Sequence, residues 1–222
     1  MKSLTIRKTN FFNVDDNFPL IKNNQPIGSI APTGETFNME GVVFELFQCS
    51  YFINFNDTII VEIDGNVDTV DSYKKSSAFM LYYVRRDNLI FVDAPTAIAK
   101  NFLSALEKQY PNKVKTQVYN FDFRAIGQHQ SNTKAIYFSV DDDVIDSKTF
   151  HGNGVDQDME AIDAIDNSNA TYLMVEIDLR MKSRTIGFSK KGAIVIYSKP
   201  IDLTLENPYL QLAYDAVTNF IS

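Results

Sequence analysis

The chain has 222 residues, of which 45% are hydrophobic and 22% charged, with 17 Phe and 11 Tyr. This composition excludes a disordered tail or a fibrous repeat, and the length suffices to bury a core without disulfides or metals. The net charge of −7 is concentrated: residues 141–166 hold nine acids against one base, Lys148, so the rest of the chain is near neutral and lacks the broad basic footprint needed to coat a nucleic-acid backbone.

In chain order, residues 1–8 carry no apolar segment of signal-peptide type. A single Cys excludes an intrachain disulfide and a cysteine-built zinc site, and the compartment expected is the cytoplasm. Residues 9–41 are punctuated by Pro19, Pro26, Gly28, Pro32, Gly34 and Gly41, which predicts short strands and turns in a loop-rich N-terminal part reaching about residue 56. Residues 42–55 are apolar on both alternation faces, so periodicity does not separate strand from helix. Residues 58–64 are β-branched and read as a strand ending at Gly65-Asn66. The segments 78–84 and 89–92, joined by Arg85-Arg86-Asp87-Asn88, read as a β-hairpin, and the first of them is far shorter than the roughly 20 residues that cross a bilayer. Asp93 and Pro95 then start a helix over about 96–110, with Ile98, Phe102, Leu106 and Tyr110 at helical spacing before Pro111 stops it.

Residues 114–121 and 135–140 read as strands separated by a polar loop at 127–132. An acidic insertion follows at about 141–168. Beyond it Leu173, Val175, Ile177, Leu179 and Met181 alternate with Met174, Glu176, Asp178, Arg180 and Lys182, which predicts one strand with a core face and a wet face. Residues 193–197 form another strand after the turn Lys190-Lys191-Gly192. Asn207 as N-cap and Pro208 at the first helical position open a C-terminal helix near 208–221, with Leu210, Ala213, Tyr214, Val217 and Phe220 on one stripe. The expected architecture is a single α+β domain over 1–222, a mostly antiparallel sheet packed by these two helices. Val61-Glu62-Ile63-Asp64 recurs as Val175-Glu176-Ile177-Asp178, each followed by a basic pair, a short strand and a proline. Duplicated strand-turn-strand-helix units would explain this, as would the ordinary resemblance of short apolar strands.

No glycine-rich phosphate loop and no nucleophile elbow is present. Cys49 lies among Phe44, Phe47, Tyr51 and Phe52, an apolar setting that keeps a thiol inert. His129 sits in a polar loop. His151, with Asp141, Asp142, Asp143 or Asp146, has the donor types of a nitrogen and oxygen metal site, although a solvated acidic loop explains the same residues more simply. Asp156, Asp158 and Glu160 resemble the start of a calcium loop, but Ala161 stands where glycine and Asn167 where glutamate is required. The helical spacing of Val155, Met159, Ile162 and Asp166 instead places Asp156, Glu160 and Asp163 on one exposed face, where like charges repel by about 0.2–0.5 kcal/mol per pair.

Such a face suits a basic partner. The leading expectation is a non-catalytic, cofactor-free binding or regulatory protein of inhibitor, immunity or nucleic-acid-mimic type, contacting a basic protein surface through Asp142, Asp143, Asp156, Glu160 and Asp163. Nucleic acid is a disfavoured partner and a membrane is not expected. The alternative is a nuclease or phosphodiesterase dependent on Mg²⁺ or Mn²⁺, with Glu176 and Asp178 as ligands, Lys182 polarising the phosphate and Asp64 as a further carboxylate. The one acid-x-Lys sequence, Asp146-Ser147-Lys148, is no more than chance would supply. Arg85, Arg86, Lys190 and Lys191 are candidate phosphate-binding residues at turns, yet no aromatics interleave with them as in single-strand binders. A third expectation is an N-terminal recognition domain of a larger effector.

Overall fold

The structure is a computed structural model in which residues 1–128, 132–141 and 144–219 are described. Strands account for 52% of the described residues and helices for 21%, so the mostly antiparallel sheet expected is present and dominates the few helices. The chain forms two compact units, one from Met1–Lys8, Leu89–Thr96 and Gln117–Ser222, the other from Thr9–Asn88 and Ala97–Thr116. Among the described residues no helix is long and apolar enough to cross a membrane.

In the first unit, the part of β1 (Lys2–Phe12) up to Lys8 enters between two strands. It pairs antiparallel with β8 (Leu89–Val92), from Thr5 opposite Val92 to Lys8 opposite Leu89, and with β14 (Ala193–Ile196), from Lys2 opposite Ile196 to Thr5 opposite Ala193. Leu4, Thr5, Ile6 and Arg7 are all buried, so this central strand is covered on both faces. The ladder continues from β14 through β13 (Lys182–Ser189), β12 (Ala170–Leu179) and β10 (Asn132–Ser139) to β11 (Ser147–His151). The expected strand through Lys182 is in fact a hairpin. Arg180 and Met181, both with left-handed φ of 55° and 60°, turn the chain back so that Leu179 faces Lys182. Two left-handed residues match the twist of antiparallel strands, but side chains other than Asn, Asp or Gly give no sequence signal for this turn. Arg180 then reaches α4 (Pro208–Asn219), where its Nε is 2.5 Å from Asp215 Oδ2. The Asn207 side chain accepts from Leu210 N at 3.2 Å, the cap expected at this helix start.

Tyr172 on β12 lies edge-on to Tyr137 at 5.4 Å and shares a hydrogen bond with the Tyr197 hydroxyl at 2.9 Å. Gly187 makes room for it, since a Cβ there would lie 1.6 Å from the Tyr172 hydroxyl. Gly187→Ala therefore expels the ring and breaks the tyrosine pair. A loss of about 1–3 kcal/mol is expected in chemical denaturation, and an unchanged midpoint would refute the packing argument.

In the second unit, β2 (Phe18–Lys22), β3 (Gln25–Met39), β4 (Val42–Phe55) and β7 (Tyr73–Val84) follow one another as antiparallel neighbours. The turns Asn23-Asn24 and Glu40-Gly41 again have φ > 0 at both positions. Within residues 9–41 the five-residue β2 is short as expected, whereas β3 runs for 15 residues with Pro26, Gly28, Pro32 and Gly34 inside it. β5 (Ile59–Ile63) and β6 (Asn66–Val70) make a separate two-stranded sheet. The helix expected at 96–110 is α1 (Thr96–Gln109), whose Phe102 packs edge-on to Phe79 at 5.1 Å and Tyr51 at 6.2 Å. Beyond α1 the chain continues into β9 (Val114–Val118), which pairs with β1.

The repeated Val-Glu-Ile-Asp falls in unlike settings. Residues 61–64 belong to the small exposed hairpin, whereas residues 175–178 alternate between buried and wet positions of the larger ladder. Pro95 precedes α1, but Pro200 leads into a turn, and α4 begins only at Pro208. The two segments therefore share a sequence pattern and not a structural unit.

Candidate functional site

The helix of the acidic segment is capped by one of the segment's own carboxylates. Asp158 Oδ1 accepts from Glu160 N at 2.9 Å and from Ala161 N at 3.4 Å, which caps α3 (Met159–Asp166) and offsets two of the donors that every helix start leaves unpaired. This cap corrects the expected helix over 155–166. Val155–Gln157 form a separate 3-10 turn, so Asp156 lies off the helix and does not share a face with Glu160 and Asp163. The buried positions of α3 are Ala161 and Ala164, which leaves Met159 81% and Ile162 41% exposed beside Glu160 and Asp163. Lys148 Nζ reaches Glu160 at 2.5 Å and Arg124 pairs with Asp166. Asp142, Asp143 and His129 lie outside the described residues.

A short helix that the polar sequence did not announce, α2 (Phe123–Gln128), packs beside α3. The two helices border a hollow of about 260 Å³ lined by Phe123, Gly127, Asp156, Ile162 and Ile165. A second hollow of about 540 Å³ lies around Phe121, Asp122, Ile165 and Lys190, and the Arg124–Asp166 pair lines both. Phe123 and Ile126 are buried, and the sequence signals for α2 were their spacing of three and Asp122, whose Oδ1 accepts from Ala125 N at 3.0 Å as a helix cap. The result is a surface of exposed aliphatic side chains and carboxylates set around two concave places.

The residues proposed for metal-assisted chemistry do not converge. Glu176 is bound by Lys134 at 2.8 Å, and that hydrogen bond holds its carboxyl below the usual range. Asp178 stands opposite Ser183 on the same wet face. Because the chain turns at Arg180-Met181, Lys182 faces Leu179 and thus projects to the other side of the hairpin, 3.6 Å from Asp202. Asp64 lies in the turn of the β5–β6 hairpin, in the other unit. His151 is exposed, edge-on to Tyr137 at 5.7 Å. Among the described residues no three His, Cys, Asp or Glu side chains gather as metal ligands. Cys49 is buried, which pushes its thiol well above the ordinary range.

The candidate phosphate-binding residues are largely engaged. Arg85 forks onto both oxygens of Glu45 at 2.7 and 2.8 Å, which raises its pKa. Arg86 forks onto both oxygens of Asp87 at 3.1 and 3.3 Å. Lys190 donates to the Ser168 carbonyl at 2.5 Å, whereas Lys191 is engaged through its backbone carbonyl, which accepts from the buried Arg7 at 3.1 Å. No protein-family model matches the sequence, and no curated protein matches it.

Proposed function

We propose that this is a non-catalytic cytoplasmic binding protein whose acidic segment docks on a basic protein surface, in the manner of an inhibitor or an immunity-type protein. The observation that carries the reading is the α3 surface, where Met159 and Ile162 stand 81% and 41% exposed among Glu160, Asp163 and Asp166. Exposed aliphatic groups beside a hollow mark contact surfaces, and carboxylates at the rim steer a basic partner into place and favour it over acidic ones. The hollow lined by Ile162, Ile165 and Asp156 is of a size to receive one long basic side chain, its stem on the isoleucines and its charge on the carboxylate.

The test is retention of binding partners by the wild type and by the triple variant Asp156→Asn, Glu160→Gln, Asp163→Asn, read by mass spectrometry. A basic protein captured in stoichiometric amount is expected to bind the variant at least about tenfold more weakly, with wild-type association slowing as salt is raised. Unchanged affinity in the variant would remove the proposal. Met159→Ser distinguishes apolar docking from steering, because it is expected to speed dissociation while leaving the salt dependence intact.

A further inference from the structure

The second unit carries an unpartnered arm. Residues 56–72 contain five acids and no base, and the arm exposes Ile60, Ile63 and Val67 at 76%, 64% and 66%. A lone two-stranded sheet is marginal in water, and neither strand has an outer neighbour among the described residues. Exposed apolar edges of this kind call for cover.

The same unit holds a surface of opposite character. Two adjoining hollows of about 600 and 440 Å³ share Lys22, Ile27, Tyr51 and Asn101, and are completed by Lys108 on one side and Lys74 on the other. No carboxylate lines either of them. None of the residues 56–72 lines them, and the neck of the arm does not bend back. The β4–β7 ladder runs to Phe55 opposite Tyr73, the two rings stack at 5.1 Å and 10°, and Thr58 bonds Asp71 at 3.0 Å. Past that neck a five-residue strand projects about 16 Å further.

We propose that the arm of one copy seats in the lysine-lined hollows of a second copy. Charge selects this pairing, since two arms with five acids each repel at their tips while the hollows offer three lysines beside Ile27 and Tyr51. Arm and hollow adjoin on one unit, so two copies exchange arms reciprocally and the contact closes on a two-fold axis instead of growing into a fibre. The inference does not rest on the α3 reading and concerns other residues.

Light scattering on the full chain at high micromolar concentration tests it. The wild type is expected to show twice the mass of one chain. The arm variant Glu62→Lys, Asp64→Lys, Asp68→Lys and the hollow variant Lys22→Glu, Lys108→Glu are each expected to halve that mass with unchanged circular dichroism, all five positions being exposed. Mixed in equal amounts, these two variants pair a basic arm with an acidic hollow and an acidic arm with a basic hollow, so the doubled mass is expected to return. A monomeric wild type overturns the proposal, as does a dimer that neither variant dissociates or a mixture that stays monomeric.

Discussion

Gly28→Ala is expected to melt roughly 10 °C below the wild type by scanning calorimetry. Gly28 stands in β3 opposite Tyr51 of β4, and a Cβ on it would lie 2.3 Å from the Ser50 carbonyl oxygen, which is backbone and has no rotamer to escape into. The methyl group fits only if β3 and β4 separate, at a point where β2 and β3 already slip register between Leu20 and Ile21. Gly34→Ala is the informative comparison. Its φ of 77° is left-handed but a Cβ added there would meet nothing within 4 Å, so the substitution carries the conformational cost alone, about 1 kcal/mol. Equal losses in the two variants would mean that the close approach at Gly28 contributes nothing.

Asp202→Leu is expected to lower the melting temperature by roughly 10 °C as well, and by clearly more than Arg184→Leu does. Arg184 is 1% exposed on its side chain and forks onto Asp202 at 2.9 and 2.5 Å, while Asp202 keeps 29% of its side chain in contact with solvent. Removing the carboxylate strands a buried guanidinium whose Nε already lacks a partner. Removing the arginine leaves a carboxylate that water and Lys182, 3.6 Å away, still serve. The hydrogen bonds from Arg184 hold the Asp202 carboxyl down from 3.8 to about 2. A depressed carboxylate stabilises the fold fully above its ordinary pKa, and that contribution fades as pH falls through the folded value. Wild-type melting temperature should thus drop between about pH 4 and pH 2, and the Arg184→Leu profile should be flatter there. Parallel profiles, or the larger loss in Arg184→Leu, would contradict the assignment.

Helix α1, strand β14 and the start of α4 were readable from sequence because each rests on a local rule: a helical stripe before proline, a short β-branched run, an Asn-Pro cap. β1 was not readable. It is buried on both faces with Thr5 and Arg7 inside, and Arg7 is held by carbonyls of residues 6 and 191, which no local pattern announces. Arg180-Met181 hid a hairpin for the same reason, since its turn is imposed by the pairing of β12 with β13 and by Asp215 rather than by its own residues. Of the acidic surface, its location and the exposure of Glu160 and Asp163 were legible. Where α3 begins was not, because Asp158 serves as a cap and looks in sequence like one acid among nine. The first strand and turn of the arm were legible, but its acidic character was not, because its five acids vanish into a near-neutral sum over the remaining chain.

The first strand also sets a timetable for biosynthesis. Lys2 finds its neighbour at Ile196, a partner made almost at the end of translation, so at about 5–20 residues per second the nascent N-terminus waits roughly 10–40 seconds for that side of its ladder. During this interval β8 is the earlier arrival for Thr5 to Lys8, and Leu4 and Ile6, both buried in the finished fold, have only half their shelter. The ribosome-bound chain is thereby an aggregation-prone species with an identifiable vulnerable strand, and chaperone demand should track the time between synthesis of residues 2–8 and of residues 193–196.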